Sequence, residues 1–205
     1  MTETRGERKE RTRRAILEAA LALCEDSSLI ALSLRQVAKE VGIVPTAFYR
    51  HFESIEALGL ALVDESFVSL RAMLRDIRQG APSYADIVDN SVDILAQHVR
   101  QERAHFAFIG RERGAGPPQV RDAIRHEIDL CEHELATDLA RLPGTEAWSA
   151  EDLRVLSDLI VTAMVATAER LISAPQPGAE KQLTETARTQ LRMVLVGALN
   201  WRSRA

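Results

Sequence analysis

Apolar residues recur every three to four positions along most of the chain and almost never alternate, the signature of amphipathic helices rather than strands. Ile16, Ala19, Ala20 and Leu23 mark a first helix over about 8–26. Leu34, Val37 and Ala38 mark the buried side of a short second helix, and a brief third is predicted over about 45–51. Leu58, Leu62, Leu70, Met73, Leu74 and Ile77 stripe a long fourth segment over about 54–79. Further helices are predicted over about 83–100, Arg103 to Glu112, 118–142, 149–173 and 179–201. In the 118–142 stretch, Val120, Ile124, Ile128, Cys131, Leu135, Leu139 and Leu142 form one helical face. The pattern predicts an all-α fold of about nine helices: a small three-helix head over 1–53, then a helical bundle over 54–205.

The punctuation agrees with the periodicity. Ser33 and Gln36 have capping-box spacing, as do Ser83 and Asp86, and Ser149 and Asp152 cap the helix that follows them. Gly42 closes the second helix, since glycine accepts the left-handed geometry of a helix exit. Pro45 stands at a first helical position, where its missing N–H costs nothing. Ser54 caps the fourth helix, with Glu56 at its positive end. The runs from Gly80 to Pro82, Gly114 to Pro118, Pro143 to Gly144 and Pro175 to Gly178 separate the later helices.

Composition narrows the class. The 205 residues are 46% hydrophobic and 27% charged, which argues for a folded chain. Two cysteines, Cys24 and Cys131, are too few for a disulfide framework and fit a reducing compartment. No secretory leader is visible, and the most apolar run, Leu159 to Ala168, is too short to span a bilayer. A cytoplasmic protein with no cofactor is expected. Charge is uneven: the net charge of −4 divides into +2 over residues 1–52 and −6 over 53–205. Six bases (Arg5, Arg8, Lys9, Arg11, Arg13 and Arg14) crowd the first fourteen residues. A basic arm ahead of an acidic body points one end toward a polyanion; the other reading is a solvated, frayed terminus.

The stretch Ser33–Phe52, SLRQVAKEVGIVPTAFYRHF, carries the most chemistry. It reads as helix, tight turn and helix, with Val37, Ala38, Ile43, Ala47 and Phe48 along the seam. The second of these helices would enter a major groove with its N-terminal residues Val44, Pro45, Thr46 and Ala47 toward base edges. Thr46 offers a hydroxyl and a methyl. Tyr49, Arg50 and His51 offer donors where phosphates would lie. Ser33 and Arg35 would reach the backbone from the first helix of the pair, and Arg8 and Arg11 from the arm. Phe48 and Phe52 are expected in the core.

Leu32 to Ile43, followed by Phe48-Tyr-Arg-His-Phe52, resembles the signature of TetR-family transcriptional regulators. More narrowly, Gly42 to Phe52, Leu58 to Glu65 and Arg103 to Arg113 resemble the FabR/DesT-type subgroup. Many family members carry a lysine just after the cap of the fourth helix; here that position is Ile55, apolar as in the subgroup. The resemblance implies a homodimeric repressor on a palindromic DNA operator, controlling lipid metabolism genes in response to a small-molecule effector, long-chain acyl-CoA. A multidrug-type repressor released by hydrophobic or cationic compounds is the alternative. An acyl-CoA would need an apolar tunnel with bases at its mouth. His105, Phe106, Phe108, Ile109, Arg111 and Arg113 offer both; the other reading of the arginines is ion pairing with Glu112 and its neighbours. Ligand state would reach the head through the long fourth helix.

Rival chemistry finds little support. His126, Asp129 and His133 share a helix face, but the outer two stand about 10 Å apart, too far for one ion, so no metal site is expected. No nucleophile elbow, phosphate loop or paired zinc-ligand motif occurs, so no catalysis is expected. The last two helices carry broad apolar stripes, among them Leu159, Met164, Leu191 and Leu199, which a two-fold four-helix interface would bury; the other reading is that they are intramolecular core.

Overall fold

In a computed structural model, the structure describes residues 4–80, 86–142, 144–145, 147–174 and 177–203. Among them are nine α-helices, one short 3-10 helix and no strand. The helices are α1 (Arg5–Leu23), α2 (Leu34–Val41), α3 (Pro45–Phe48), α4 (Ile55–Gly80), α5 (Ile87–Gln101), α6 (Arg103–Ala115), α7 (Pro118–Leu139), α8 (Ala150–Ile172) and α9 (Pro177–Leu199). The 3-10 helix, Leu29–Ala31, lies between α1 and α2. No described helix is long and apolar enough to cross a membrane.

The chain divides into two compact units. The first comprises residues 1–69 and 104–125, so it holds α1 to α3, the first half of α4, most of α6 and the start of α7. α1 packs on α2, and α2 on α3. Ile16, Leu29, Val37, Phe48, Leu58, Leu62, Phe67, Phe108 and Ile124 are fully buried or nearly so. Each such side chain contributes about 1.5–3 kcal/mol by leaving water. Gly59 permits the closest approach here: a Cβ on it would stand 2.3 Å from Leu29 Cδ2 and 2.8 Å from Val120 Cγ2.

The second unit comprises 70–103 and 126–205. α8 packs on α9, and α5 lies against both. Val88 and Val92 of α5 meet Ala187 and Leu191 of α9, with Ile160, Ala163 and Met164 of α8 packed beside them. Ion pairs fasten the rim: Arg188 pairs with Asp89, Asp93 and Glu185, and Arg192 reaches Asp89 at 2.7 Å. At the start of α8, the Ser149 hydroxyl accepts from the Asp152 N–H, while Ser203 accepts from the Ser149 N–H and donates to the Asp152 carboxylate. The Ser203 hydroxyl, and after it the Ser149 hydroxyl, both donating to the Asp152 carboxylate, hold its pKa below the usual range.

Several boundaries differ from the sequence expectation, for local reasons. α1 starts at Arg5 rather than near residue 8 because Thr4 and Glu7 form a capping box the periodicity does not reveal. The third helix ends at Phe48 rather than His51: Phe48 O accepts from both His51 N and Phe52 N, tightening the chain into a turn. α5 begins at Ile87 with Asp86 at its N-cap and no side-chain cap bond; Ser83, its expected capping partner, lies outside the described residues. The α7 stripe is fully buried at Val120, Ile124 and Leu139 and half-buried between them, Cys131 included.

Candidate nucleic-acid interface

The interface is built on one turn. Ser33 Oγ accepts from the Gln36 N–H at 3.1 Å and starts α2. Gly42 stops it at φ 73°, ψ 29°. Ile43 N–H then donates to Ala38 O at 2.9 Å and Gly42 N–H to Lys39 O at 3.1 Å, the paired bonds of a Schellman exit. Among the described residues nothing lies within 4 Å of a Cβ placed on Gly42, so the requirement there is conformational, not spatial. Val44 is extended, and Pro45 opens α3 at its first position.

α3 is a single turn, held by its aromatics. Phe48 is fully buried and Phe52 nearly so, with ring centroids 5.8 Å apart. Tyr49 meets Phe48 edge to face at 6.1 Å yet stays 57% exposed. Val44 is 64% exposed. Pro45, Thr46 and Arg50 are exposed, and Ala47 and His51 are half-buried. With Phe48 inward, Thr46 and Tyr49 are directed to the other side of the turn. Ser33 and Arg35 are exposed at the start of α2, and Arg8 and Arg11 along α1.

Arg13 joins these parts. Its guanidinium carbon lies 4.3 Å from the Phe52 ring centroid, and Nη1 donates to His51 O at 3.4 Å. Sequence reasoning placed Arg13 among the arm's charges and gave it no such task. Burial, with Lys9, Arg13 and Arg50 close by, holds the His51 imidazole below its ordinary pKa, and Glu10 opposes them. Its Nδ1 is buried without a hydrogen-bond partner among the described residues.

The other predicted residues lie on α6. Phe106, Phe108 and Ile109 are buried. His105 Nδ1 is 2.9 Å from the hydroxyl of Ser66, a buried serine of α4. Arg111 donates to three carbonyls, Cys24 O, Ser27 O and Glu25 O, at 2.7, 2.9 and 2.8 Å. Glu112 is fully buried and accepts from Leu29 N and Ser28 Oγ. Arg113 is exposed. The sequence offered Glu112 only as an ion-pair partner for the neighbouring arginines; its hydrogen-bond partners lie 83 and 84 residues away, beyond any periodic signal.

Residues 16–62 match the bacterial regulatory proteins, tetR family. Residues 84–197, more than half of the chain, match the tetracyclin repressor-like C-terminal domain. The chain therefore belongs to the TetR family of bacterial regulatory proteins, a class that binds DNA and small-molecule effectors, typically as dimers. Solved structures show the same fold. A protein of Pseudomonas aeruginosa PAO1 described as a transcriptional regulator is 16% identical, with 93% of each chain covered and a TM-score of 0.72. A transcriptional regulator of Rhodococcus sp. Rha1 is 18% identical over 90% of this chain and 96% of its own, at TM-score 0.70. One from Aquifex aeolicus VF5 is 16% identical over 89% and 99%, at TM-score 0.68. The chain is thus a transcriptional regulator with an N-terminal helix-turn-helix and a C-terminal ligand-binding domain.

Proposed function

We propose that the chain is a homodimeric repressor that reads a palindromic operator with α3 of each copy in successive major grooves. The observation that carries this reading is the orientation of α3: Phe48 is fully buried while Val44, Thr46 and Tyr49 stand exposed beside it. Val44, Pro45, Thr46 and Ala47 would face base edges; Tyr49, Arg50, His51, Ser33 and Arg35 would meet phosphates, with Arg8 and Arg11 adding charge from α1.

Dimerisation is supported by the apolar residues left on the outer faces of α8 and α9. Val155, Leu159, Met193, Val196 and Leu199 are between 48% and 82% exposed. A second copy laying the same two helices across them would bury both sets in a four-helix interface. Leu199→Glu should yield a monomer in sedimentation.

For the effector, resemblance to the FabR/DesT-type subgroup supports a long-chain acyl-CoA and control of lipid metabolism genes, with action in the cytoplasm. Phe106, Phe108 and Ile109 would line the acyl chain, with His105 beside them and Arg113 toward phosphate. Arg111, committed to three carbonyls, would hold α6 in place. The test is a selection of duplexes from the flanks of the gene, followed by titration with oleoyl-CoA and with a cationic dye. Oleoyl-CoA should shift operator affinity and the dye should not. The reverse outcome would favour the multidrug-type reading, and no selected duplex at low salt would remove the operator reading altogether.

A further inference from the structure

The connection between α1 and α2 lacks its own end groups. α1 has no basic residue in its last turn, and Glu25 and Asp26 follow at once, the wrong charge for the negative end of a helix. The 3-10 helix that starts at Leu29 has Ser28 at its N-cap, yet the Ser28 side chain makes no cap bond. Both deficits are met from one place on α6. The Arg111 guanidinium takes Cys24 O, Glu25 O and Ser27 O, supplying the missing cation at the end of α1. The neighbouring Glu112 carboxylate takes the Leu29 N–H at 2.9 Å and the Ser28 hydroxyl at 3.2 Å, supplying the missing anion at the start of the 3-10 helix.

Two glycines make room for the arrangement. A Cβ on Gly116 would sit 2.7 Å from Glu112 Oε2. A Cβ on Gly59 would sit 2.3 Å from Leu29 Cδ2. A fully buried carboxylate is a costly way to fill space, since a well-packed apolar side chain of like size is often as stable or more so. Its specific product is the fixed place of residues 24–29.

We propose that Arg111 and Glu112 are positioning residues for DNA reading, acting through the α1–α2 connection without touching DNA. The connection sets where α2 starts on α1; α2 carries α3 through the Gly42 turn. Releasing it would let α3 present Thr46 and Tyr49 at the wrong angle while leaving every basic residue of the arm in place. Sequence-specific binding would suffer, and purely electrostatic binding would not. This inference rests on the operator-binding reading above.

The experiment compares two duplexes of equal length, an operator recovered by selection with the wild-type protein and a scrambled sequence. Arg111→Lys keeps the charge but cannot span three carbonyls. Glu112→Met keeps the volume, and Glu112→Gln keeps an acceptor for Leu29. Arg111→Lys and Glu112→Met should lower the operator-to-scrambled affinity ratio at least fivefold, with scrambled binding within twofold of wild type and an unaltered salt slope. Glu112→Gln should stay within threefold of the wild-type ratio. Should Glu112→Met not fold, Arg111→Lys decides alone, because Arg111 is only half-buried. An unchanged ratio in folded Arg111→Lys overturns the inference while sparing the operator reading. So does an equal loss on both duplexes, which would mark a merely structural role. A wild-type protein that prefers no duplex fails the operator reading itself, and the inference with it.

Discussion

Arg13 of α1 stacks on the ring of Phe52, with 4.3 Å between the guanidinium carbon and the ring centroid, and donates to the backbone of the residue before it. One side chain thereby clamps the end of the α3 turn to the first helix. Arg13→Ala should destabilise the fold by about 0.5–2 kcal/mol, the range for a partly desolvated cation–π contact. Operator affinity should fall with it. A thermal melt and an operator titration read the two effects; a melt unchanged within error would show the stacking to be idle.

Thr46→Ala should weaken operator binding about 5- to 150-fold, the equivalent of about 1–3 kcal/mol for one lost base contact, and Tyr49→Ala, which loses a phosphate contact, should weaken binding to operator and scrambled duplexes alike. Their melting curves should match the wild type, since both side chains are exposed. Phe48→Ala should behave oppositely. It empties a fully buried site and should cost about 3–5 kcal/mol of stability. Circular dichroism alongside binding separates the two kinds of defect.

His51 predicts a pH dependence whose sign follows from its surroundings. In the free protein burial and nearby cations depress its pKa, so the folded state favours the neutral ring, and this contribution to stability is lost as pH falls below about 6.5. Phosphates near His51 would act in the other direction and raise its pKa on the operator. Binding would then take up protons, and affinity should increase as pH falls from 8 toward 6. Operator titrations across that range should show the trend in the wild type and a flatter one in His51→Gln. Equal slopes would place the imidazole away from phosphate.

Arg8→Ala and Arg11→Ala test the arm without disturbing the Arg13 clamp, which a deletion of residues 1–14 would remove. Each lost phosphate contact should reduce the slope of log affinity against log salt by about one. An unaltered slope in both variants would show that the arm meets no phosphate.

The two thiols should differ in reactivity. Burial, reinforced by the Glu112 carboxylate and opposed by Arg111, pushes the Cys24 thiol up to about 12. Cys131 is half-buried. Iodoacetamide at pH 8 should therefore alkylate Cys131 in the native protein, and both cysteines only in denaturant. Native labelling of Cys24, seen by peptide mass, would contradict the buried setting of the α1 terminus.

The helical layout was legible because helical periodicity and end signals repeat along the chain. Gly42, Pro45, Ser54 and Ser149 each mark a boundary by a local rule, and the structure places helix ends at each. Phe48 and Phe52, spaced by four, were readable as core and are buried. The 3-10 helix was not readable: three residues carry no period. Nor was the end of α3, decided by a carbonyl shared between two amides. Arg111 and Glu112 were the hardest case. A local reading sees adjacent opposite charges on a short helix and pairs them with each other or with water. Their true partners lie more than eighty residues earlier and, the Ser28 hydroxyl apart, are backbone atoms, which leave no mark on the sequence.

The capping box at Thr4 and Glu7 turns the basic N-terminus into a stiff rod instead of a loose tether. From Arg5 to Arg14 its charges are spaced along roughly 13 Å at fixed angles, so the rod meets a polyanion already ordered. A loose tail would give up chain entropy on contact and would adapt to any phosphate spacing; this rod gives up little and suits a narrower range. Loosening the cap with Thr4→Ala would trade that selectivity for reach.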